Sequence, residues 1–334
     1  MKWIYFLVSL SSLSLLTGCN KVGDDDTKPR NEQNALAAQL GTLQQCQQYS
    51  GLPDAWQQNK TAGMVWIPKG SFQLGSNLAY PDELNFGKQK RQIEGFWIDQ
   101  TEVTVAQFSS FIKATGYVTD AEKQKQAAVF SPDVSNPNQW WQLKANYTWK
   151  TPNSTVGQAP LPSEPVRYVT KNDAEHYAVW LGRDLPTEQE WEYAAKAGSK
   201  TDTPLHQAPK DSHQHPQANY WQGEFPFTNT NEDNFKGVAP VGCYAANAFN
   251  LYDMIGNVWE WTSSVYHGAH DQHMGNYAEL RQQNNSTTQY VLKGGSFLCA
   301  SNFCARYRNS SRYPQEFDLA ASHVGFRTVL RSLE

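Results

Sequence analysis

The sequence predicts a single mixed α+β domain with a large share of ordered coil, and three observations carry that expectation. Capped segments of helical period sit in the first two thirds of the chain, short apolar strand patterns precede them, and after Gly198 brief apolar pieces alternate with Asn, Gly and Pro as far as Phe326. No internal repeat and no second linker divides the globular part.

The first strand pattern is Met64-Val65-Trp66-Ile67-Pro68, followed by a turn expected at Gly70, and a second runs from Gly95 to Asp99. Thr104 with Gln107 has the spacing of a capping box, with Phe108, Phe111 and Ile112 on one face and Gly116 as the stop. Asn172 with Glu175 is read as the cap of a second helix whose apolar face is Ala174, Tyr177, Ala178 and Leu181, ended by Gly182. Thr187 with Glu190 caps a third, carrying Trp191, Ala194 and Ala195 and closed by Gly198. Apolar stripes of this kind need a core to lie against, so the helices are scaffold.

The 334 residues suffice for one large domain or two small ones. Charged residues make up only 18% and the formal net charge is -4, so no basic balance points to nucleic acid. Twelve Trp, 22 Gly and 17 Pro suit loops pinned by aromatic rings. Lys2 followed by the apolar run Trp3–Leu16 reads as an export signal, shorter than the ~20 residues of a spanning helix. Leu16-Thr17-Gly18-Cys19 resembles a bacterial lipobox, which would place a lipid on Cys19. Asn20 after it favours the outer membrane by resemblance to sorting patterns, facing the periplasm. The polar stretch beyond cannot bury a core. The expected boundaries are a signal peptide at 1–19, a tether at 20–40 and the domain at 41–334.

Four cysteines remain, Cys46, Cys243, Cys299 and Cys304, in a compartment that permits disulfides. They allow three full pairings, the plainest being Cys46–Cys243 with Cys299–Cys304. Cys299 and Cys304 lie in Gly294-Gly295-Ser296-Phe297-Leu298-Cys299-Ala300-Ser301-Asn302-Phe303-Cys304-Ala305-Arg306-Tyr307-Arg308, among the cations Lys293, Arg306 and Arg308. Nearby cations favour thiolate, and two thiolates with no neighbouring His or third Cys suit Cu(I) better than tetrahedral zinc. On spacing alone, a local disulfide is the default.

The surrounding residues decide otherwise. Gly294 to Arg308, with Ser322-His323-Val324-Gly325-Phe326-Arg327 after it, resembles the C-terminal signature of the formylglycine-generating enzyme family. Leu185-Pro186-Thr187-Glu188-Gln189-Glu190-Trp191-Glu192-Tyr193, Ala218–Pro226, Gly256-Asn257-Val258-Trp259-Glu260-Trp261-Thr262 and Thr115-Gly116-Tyr117 with Ala121-Glu122-Lys123 match further blocks in order, over about Met64 to Arg327. The resemblance implies the C-type-lectin-like fold of that family, with Cys299 and Cys304 free as catalytic Cu(I) ligands and Ser296 as the active-site serine; Cys46–Cys243 stays a candidate staple. It implies two structural Ca²⁺ sites, one from the side chains of Asn219 and Asp233 with the carbonyls of Tyr220 and Phe235, the other from Asp253 and Glu260 with the carbonyls of Gly256 and Val258. Trp259 and Trp261 are read as core. Trp140, Trp141, Asn146 and Trp149 are candidates to line a cleft.

The implied activity is oxidation of a cysteine in a client sulfatase to Cα-formylglycine with O₂, the client binding as an extended peptide of C-x-P-x-R pattern. Two other readings compete: a non-catalytic envelope lipoprotein of the same fold, and a related oxidase acting on a peptide-derived metabolite. Ala195 and Asn309 stand where some vertebrate members carry structural cysteines, and Ala300 and Phe303 replace more polar residues between the ligands.

Overall fold

The computed structural model describes residues 40–84, 90–132, 140–153, 159–268 and 288–331. The expected signal peptide, the lipid site at Cys19 and all but the last residue of the expected tether lie outside them. No helix among the described residues is long and apolar enough to cross a membrane.

The domain opens on α1 (Leu43–Gln48), capped by the Thr42 side chain. Its Cys46 is bonded to Cys243, which settles the first pairing, and Ala239, Leu40, Phe235 and Tyr244 pack around the bridge. β1 (Met64–Ile67) is followed by β2 (Gly70–Gln73), which pairs with β3 (Lys90–Ile93). The turn expected at Gly70 is therefore a strand start. A Cβ there would stand 2.3 Å from the Tyr193 hydroxyl, so glycine is kept for close approach rather than for turning.

β4 (Phe96–Asp99) sits between β1 and β11 (Val329–Leu330), antiparallel to both, so the two ends of the domain close on one three-stranded sheet. α2 (Val105–Thr115) has the predicted capping box of Thr104 and Gln107 and stops at Gly116, whose φ is 66°. α3 (Asp120–Gln124) follows, capped by Thr119 and Glu122, ahead of the hairpin β5 (Gln126–Phe130) and β6 (Trp141–Ala145).

α4 (Lys171–Trp180) begins at Thr170, not at Asn172. The Asp173 carboxylate accepts the Thr170 N–H at 2.9 Å and the Thr170 hydroxyl accepts the Asp173 N–H at 3.2 Å, while Glu175 turns to an ion pair with Lys171. Both spacings place an acid three residues after a polar side chain. The one whose carboxylate is buried makes the box. α5 (Glu188–Lys196) uses Thr187 and Glu190 as expected. The second sheet has the order β10-β7-β8-β9, built from β7 (Trp259–Val265), β8 (Gln289–Lys293), β9 (Arg312–Glu316) and β10 (Val324–Gly325), the last parallel to β7.

The main core lies between α2, α4 and this sheet. Phe108 meets Phe111, Trp149, Tyr177 and Phe326 at centroid distances of 5.4, 5.3, 5.8 and 6.4 Å. Trp261 is fully buried there and donates to the Val169 carbonyl at 3.0 Å, and Trp259 is buried beside it, so both are core as predicted.

The Cys46–Cys243 bridge closes a loop of 197 residues. Replacing both cysteines with serine should lower unfolding stability by about 2–5 kcal/mol, because long closed loops restrict the unfolded chain most. Chemical denaturation with and without the pair measures this; an unchanged midpoint would contradict it.

Candidate active site and metal centres

β8 ends at Lys293, and the chain then turns on Gly294 and Gly295, with φ of 93° and 83°. A Cβ on Gly295 would lie 2.3 Å from the Arg306 carbonyl oxygen, so the double glycine lets two limbs of one loop touch. Ser296 is fully buried and its hydroxyl accepts the Leu298 N–H at 3.3 Å. The Ser296 N–H points at the Cys299 sulfur at 3.4 Å, and the Cys299 N–H returns to the Ser296 carbonyl at 2.9 Å. Trp221 N–H holds the Cys299 carbonyl at 2.9 Å.

Cys299 and Cys304 are both free, the first buried and the second half-buried, and their thiols are hydrogen-bonded to each other. Burial pushes the Cys299 thiol up, although the N–H groups of Ser296 and Arg306 oppose that rise. The hydrogen bond from Cys299 holds Cys304 below its usual range, with Arg306 and Arg308 adding to the effect. Within the pair the proton is held on Cys299 and the anionic character falls on Cys304. Among the described residues no group of three or more His, Cys, Asp or Glu is placed to hold a metal ion, so the two sulfurs stand without a further side-chain ligand of those types. Two adjacent soft donors fit Cu(I), which accepts low coordination.

An acidic turn braces the segment after Cys304. Arg306 reaches Asp82 through two bonds of 3.0 Å and Glu83 at 2.7 Å, and Arg308 also pairs with Glu83. The Tyr80 hydroxyl accepts the Ala305 N–H at 3.1 Å. Sequence reading missed these three residues, because nothing local relates positions more than 200 apart.

Beside Cys304 stands an aromatic wall. Phe303, 51% exposed, stacks on Phe225 with centroids 4.7 Å apart and planes within 7°. Trp140 meets both rings edge-on at 4.9 and 5.4 Å, and Phe130 and Trp221 back Phe225. Of the predicted cleft residues, Trp140 belongs to this wall. Trp141 lies next to it on β6 and meets His323 with ring centroids 4.5 Å apart and planes tilted by 42°. Asn146 occupies a left-handed turn position with φ of 68°. Trp149 is instead a core residue packed on Phe108.

The first group of calcium-type donors is partly convergent. Asp233 accepts the Gln222 side-chain amide at 2.8 Å and the Phe235 N–H at 3.0 Å, and that same Gln222 nitrogen bonds the Tyr220 carbonyl. Asn219 uses its Nδ2 on the Gly237 carbonyl at 2.8 Å and on Asn257 Oδ1 at 3.0 Å, which leaves its Oδ1 as the hard donor. Asp233 and Phe235 also line a surface cavity of about 410 Å³.

In the second group, Asp253 accepts the Gly242 N–H at 2.5 Å. Glu260 is gripped by Arg327 at 2.7 Å on each oxygen and by the Trp191 indole at 2.6 Å. Glu102, which sequence reading did not single out, is fully buried beside them. Its Oε1 accepts from Asn257 at 3.1 Å, and its carboxyl also hydrogen-bonds the Asp253 carboxyl. Burial and then the neighbouring Asp253 and Glu260 charges push Glu102 well above the carboxylate range, and burial raises Asp253 to about 6. Arg327 is the cation that both carboxyls feel, and the Glu102–Asp253 contact joins the two acids beside it.

A mixed α+β coil-rich domain carrying a pair of free cysteines in a Gly-Gly-Ser loop is the class that the fold and site define. Residues 49–332 match the family described as "Sulfatase-modifying factor enzyme 1-like domain", and the chain belongs to that family. It is 38% identical over 292 residues to the "Formylglycine-generating enzyme" of Mycobacterium tuberculosis, covering 80% of this chain and 97% of that protein. It is 33% identical over 286 residues to the "Inactive C-alpha-formylglycine-generating enzyme 2" of Bos taurus, covering 80% and 88%. Among solved structures it resembles PvdO from Pseudomonas aeruginosa, with a TM-score of 0.54, 24% identity and coverage of 81% and 95%, a likeness of fold.

Gly295→Ala should destabilise the protein by more than about 1 kcal/mol, since the substitution forces a left-handed φ on a residue with a Cβ and drives it into a carbonyl. It should also speed alkylation of Cys299 by loosening the loop. Thermal melts and timed thiol labelling test both; wild-type labelling rates would refute the loop's role.

Proposed function

We propose that this protein is a formylglycine-generating oxidase. It converts a cysteine in a client sulfatase peptide to Cα-formylglycine with O₂, and Cys299 and Cys304 hold Cu(I) for that purpose. The observation that carries the reading is the redox division of the cysteines: Cys46 and Cys243 are bonded, whereas Cys299 and Cys304 touch and stay thiols. A purely structural lipoprotein has no use for two free sulfurs at the foot of an aromatic wall.

Cu(I), when bound, would supply electrons to O₂ and a soft seat for the client's sulfur. The chain's own residues do the rest. The N–H groups of Ser296 and Arg306 offset part of the cost of negative charge on buried Cys299. Half-buried Cys304 is the sulfur a client can approach. Phe303, Phe225 and Trp140 offer apolar surface to the residues flanking the client cysteine and exclude water from that side. Ser296 is fixed within the loop where it can position a small oxygen species or water.

The two hard-donor groups act as structural Ca²⁺ sites in this reading, the second from Asp253 and Glu260 with the carbonyls of Gly256 and Val258. The mature chain is lipid-anchored at Cys19, with residues 20–40 as a tether and 41–334 as the domain. It sits on the outer membrane facing the periplasm, where an exported sulfatase would meet it.

Purified protein loaded with Cu(I) should convert a C-x-P-x-R peptide, with loss of thiol and gain of aldehyde by mass spectrometry. Cys299→Ser should abolish both Cu(I) binding and turnover. Turnover that survives this substitution would remove the sulfur pair from the chemistry.

Calcium has a separate signature. Asp253 and Glu102 are raised in the folded state. Without a cation the stability they contribute is therefore present below their unfolded pKa and lost as pH rises through the folded one. A bound dication cancels that loss only where the carboxyls are ionised. Added Ca²⁺ should thus raise Tm more above about pH 7 than below about pH 5. An equal shift at both, or none, would remove calcium from this cluster.

A further inference from the structure

One buried charge cluster close to the cysteines plays no part in that chemistry. Glu83 is fully buried on a short 3₁₀ turn, Pro81–Glu83, with its carboxylate between two guanidiniums. Its Oε1 takes Arg306 at 2.7 Å and its Oε2 takes Arg308, while Asp82 grips Arg306 with both oxygens at 3.0 Å. The Tyr80 ring lies under both cations at 4.5 and 5.3 Å, and its hydroxyl holds the Ala305 N–H. The turn is itself anchored, for Glu83 O accepts Ser76 N–H at 3.1 Å and Gly75 N–H bonds Glu192 at 2.6 Å.

The side chains of this turn grip residues 305, 306 and 308, the stretch leaving Cys304, while its backbone carbonyls take Ser76 N–H and the Arg312 guanidinium, the latter at 3.1 Å on Asp82. The Arg306 N–H bonds the Cys304 carbonyl at 2.8 Å and also faces the Cys299 thiol. Fixing the Arg306 side chain therefore fixes a backbone group that touches both cysteines. Bare stability does not account for the arrangement, because apolar residues of similar volume usually serve a buried site as well as an ion network does. What a bidentate carboxylate–guanidinium network supplies is defined geometry.

We infer that Glu83, supported by Asp82 and Tyr80, is a positioning residue that sets the spacing of the Cys299 and Cys304 sulfurs for a soft metal ion. The inference rests on the proposed Cu(I) role of the pair. Outer partners of this kind commonly change metal affinity by about 10–100-fold when lost.

The test compares wild type, Glu83→Gln, Asp82→Asn and Cys299→Ser, all as the full mature chain. Cu(I) affinity is measured by competition with a chromophoric Cu(I) chelator, and binding is followed by the ultraviolet charge-transfer band of copper–thiolate. In metal-free protein, hydrogen exchange reports the amides of 304–308. Glu83→Gln should weaken Cu(I) binding by about 10–100-fold. It should also accelerate exchange at Arg306, with Asp82→Asn, at a partly exposed and better tolerated position, moving both in the same direction by less. Wild-type Cu(I) affinity in both variants, with Cys299→Ser inactive in binding, would overturn the positioning role alone. A wild type that binds no better than Cys299→Ser would instead overturn the copper reading, and this inference with it. Glu83→Asp, which keeps the charge, should recover affinity relative to Glu83→Gln; failure to do so while folded would also count against the inference.

Discussion

The buried pair of Arg327 and Glu260 is the constraint on which the rest of the domain hangs. Glu260 lies on β7 opposite Gly325 of β10, and Arg327 follows two residues later. Its guanidinium binds both Glu260 oxygens and also donates to the carbonyls of Asp99 at 3.1 Å, Gln100 at 3.3 Å and Tyr252 at 3.0 Å. One cation thus ties the four-stranded sheet to the end of β4 and to the loop that carries Asp253. The Trp191 indole adds α5 to the same carboxylate. Breaking such a pair leaves a buried charge and costs about 3–5 kcal/mol, so the two sheets and α5 are held in one register. That register also brings Gly294 against Trp191 and lets the cysteine loop start where it does.

The two cysteine pairs in the domain differ in redox state and in their surroundings. Cys46 and Cys243 come from a short helix and a distant loop, with Cα atoms 4.9 Å apart and an apolar shell around them, inside the usual bridging range. Cys299 and Cys304 are closer in sequence, yet their loop is pinned from several sides. Trp221 holds the Cys299 carbonyl, the Ser296 carbonyl holds the Cys299 amide, and the acidic turn at 80–83 holds the stretch after Cys304. That loop is held on both sides of the pair and presents the two sulfurs as thiols.

Much of this was legible locally. Capping boxes at Thr104 and Thr187 follow from three-residue spacing and needed no tertiary knowledge. At α4 two overlapping patterns competed, and only the burial of Asp173 beside Tyr117 and Asp120 decides for Thr170. The cysteine pair was readable as a centre only through the residues around it, since its spacing alone argues for a bridge. Glu102 and Glu83 were opaque for a different reason. Each is an acid in a short segment with no pattern of its own, and each gains meaning from Arg, Asp or Asn residues far along the chain. Trp149 misled because aromatic residues are used alike for a cleft and for a core.

The two apolar departures between the cysteines have unequal consequences. Ala300 is fully buried, bridged to Trp221 and enclosed by the aromatic cluster, so its side chain meets only protein. Phe303 is the half-exposed member, stacked on Phe225 and flanked by Trp140. A larger side chain at 300 would press into the buried aromatic cluster, whereas a polar one at 303 would give up the stack on Phe225 and change the face shown to solvent. Any preference this site has over relatives with polar residues there therefore acts through the exposed ring of Phe303. That ring is held in place because it is already stacked, and a held aromatic face loses little conformational entropy on contact with a ligand.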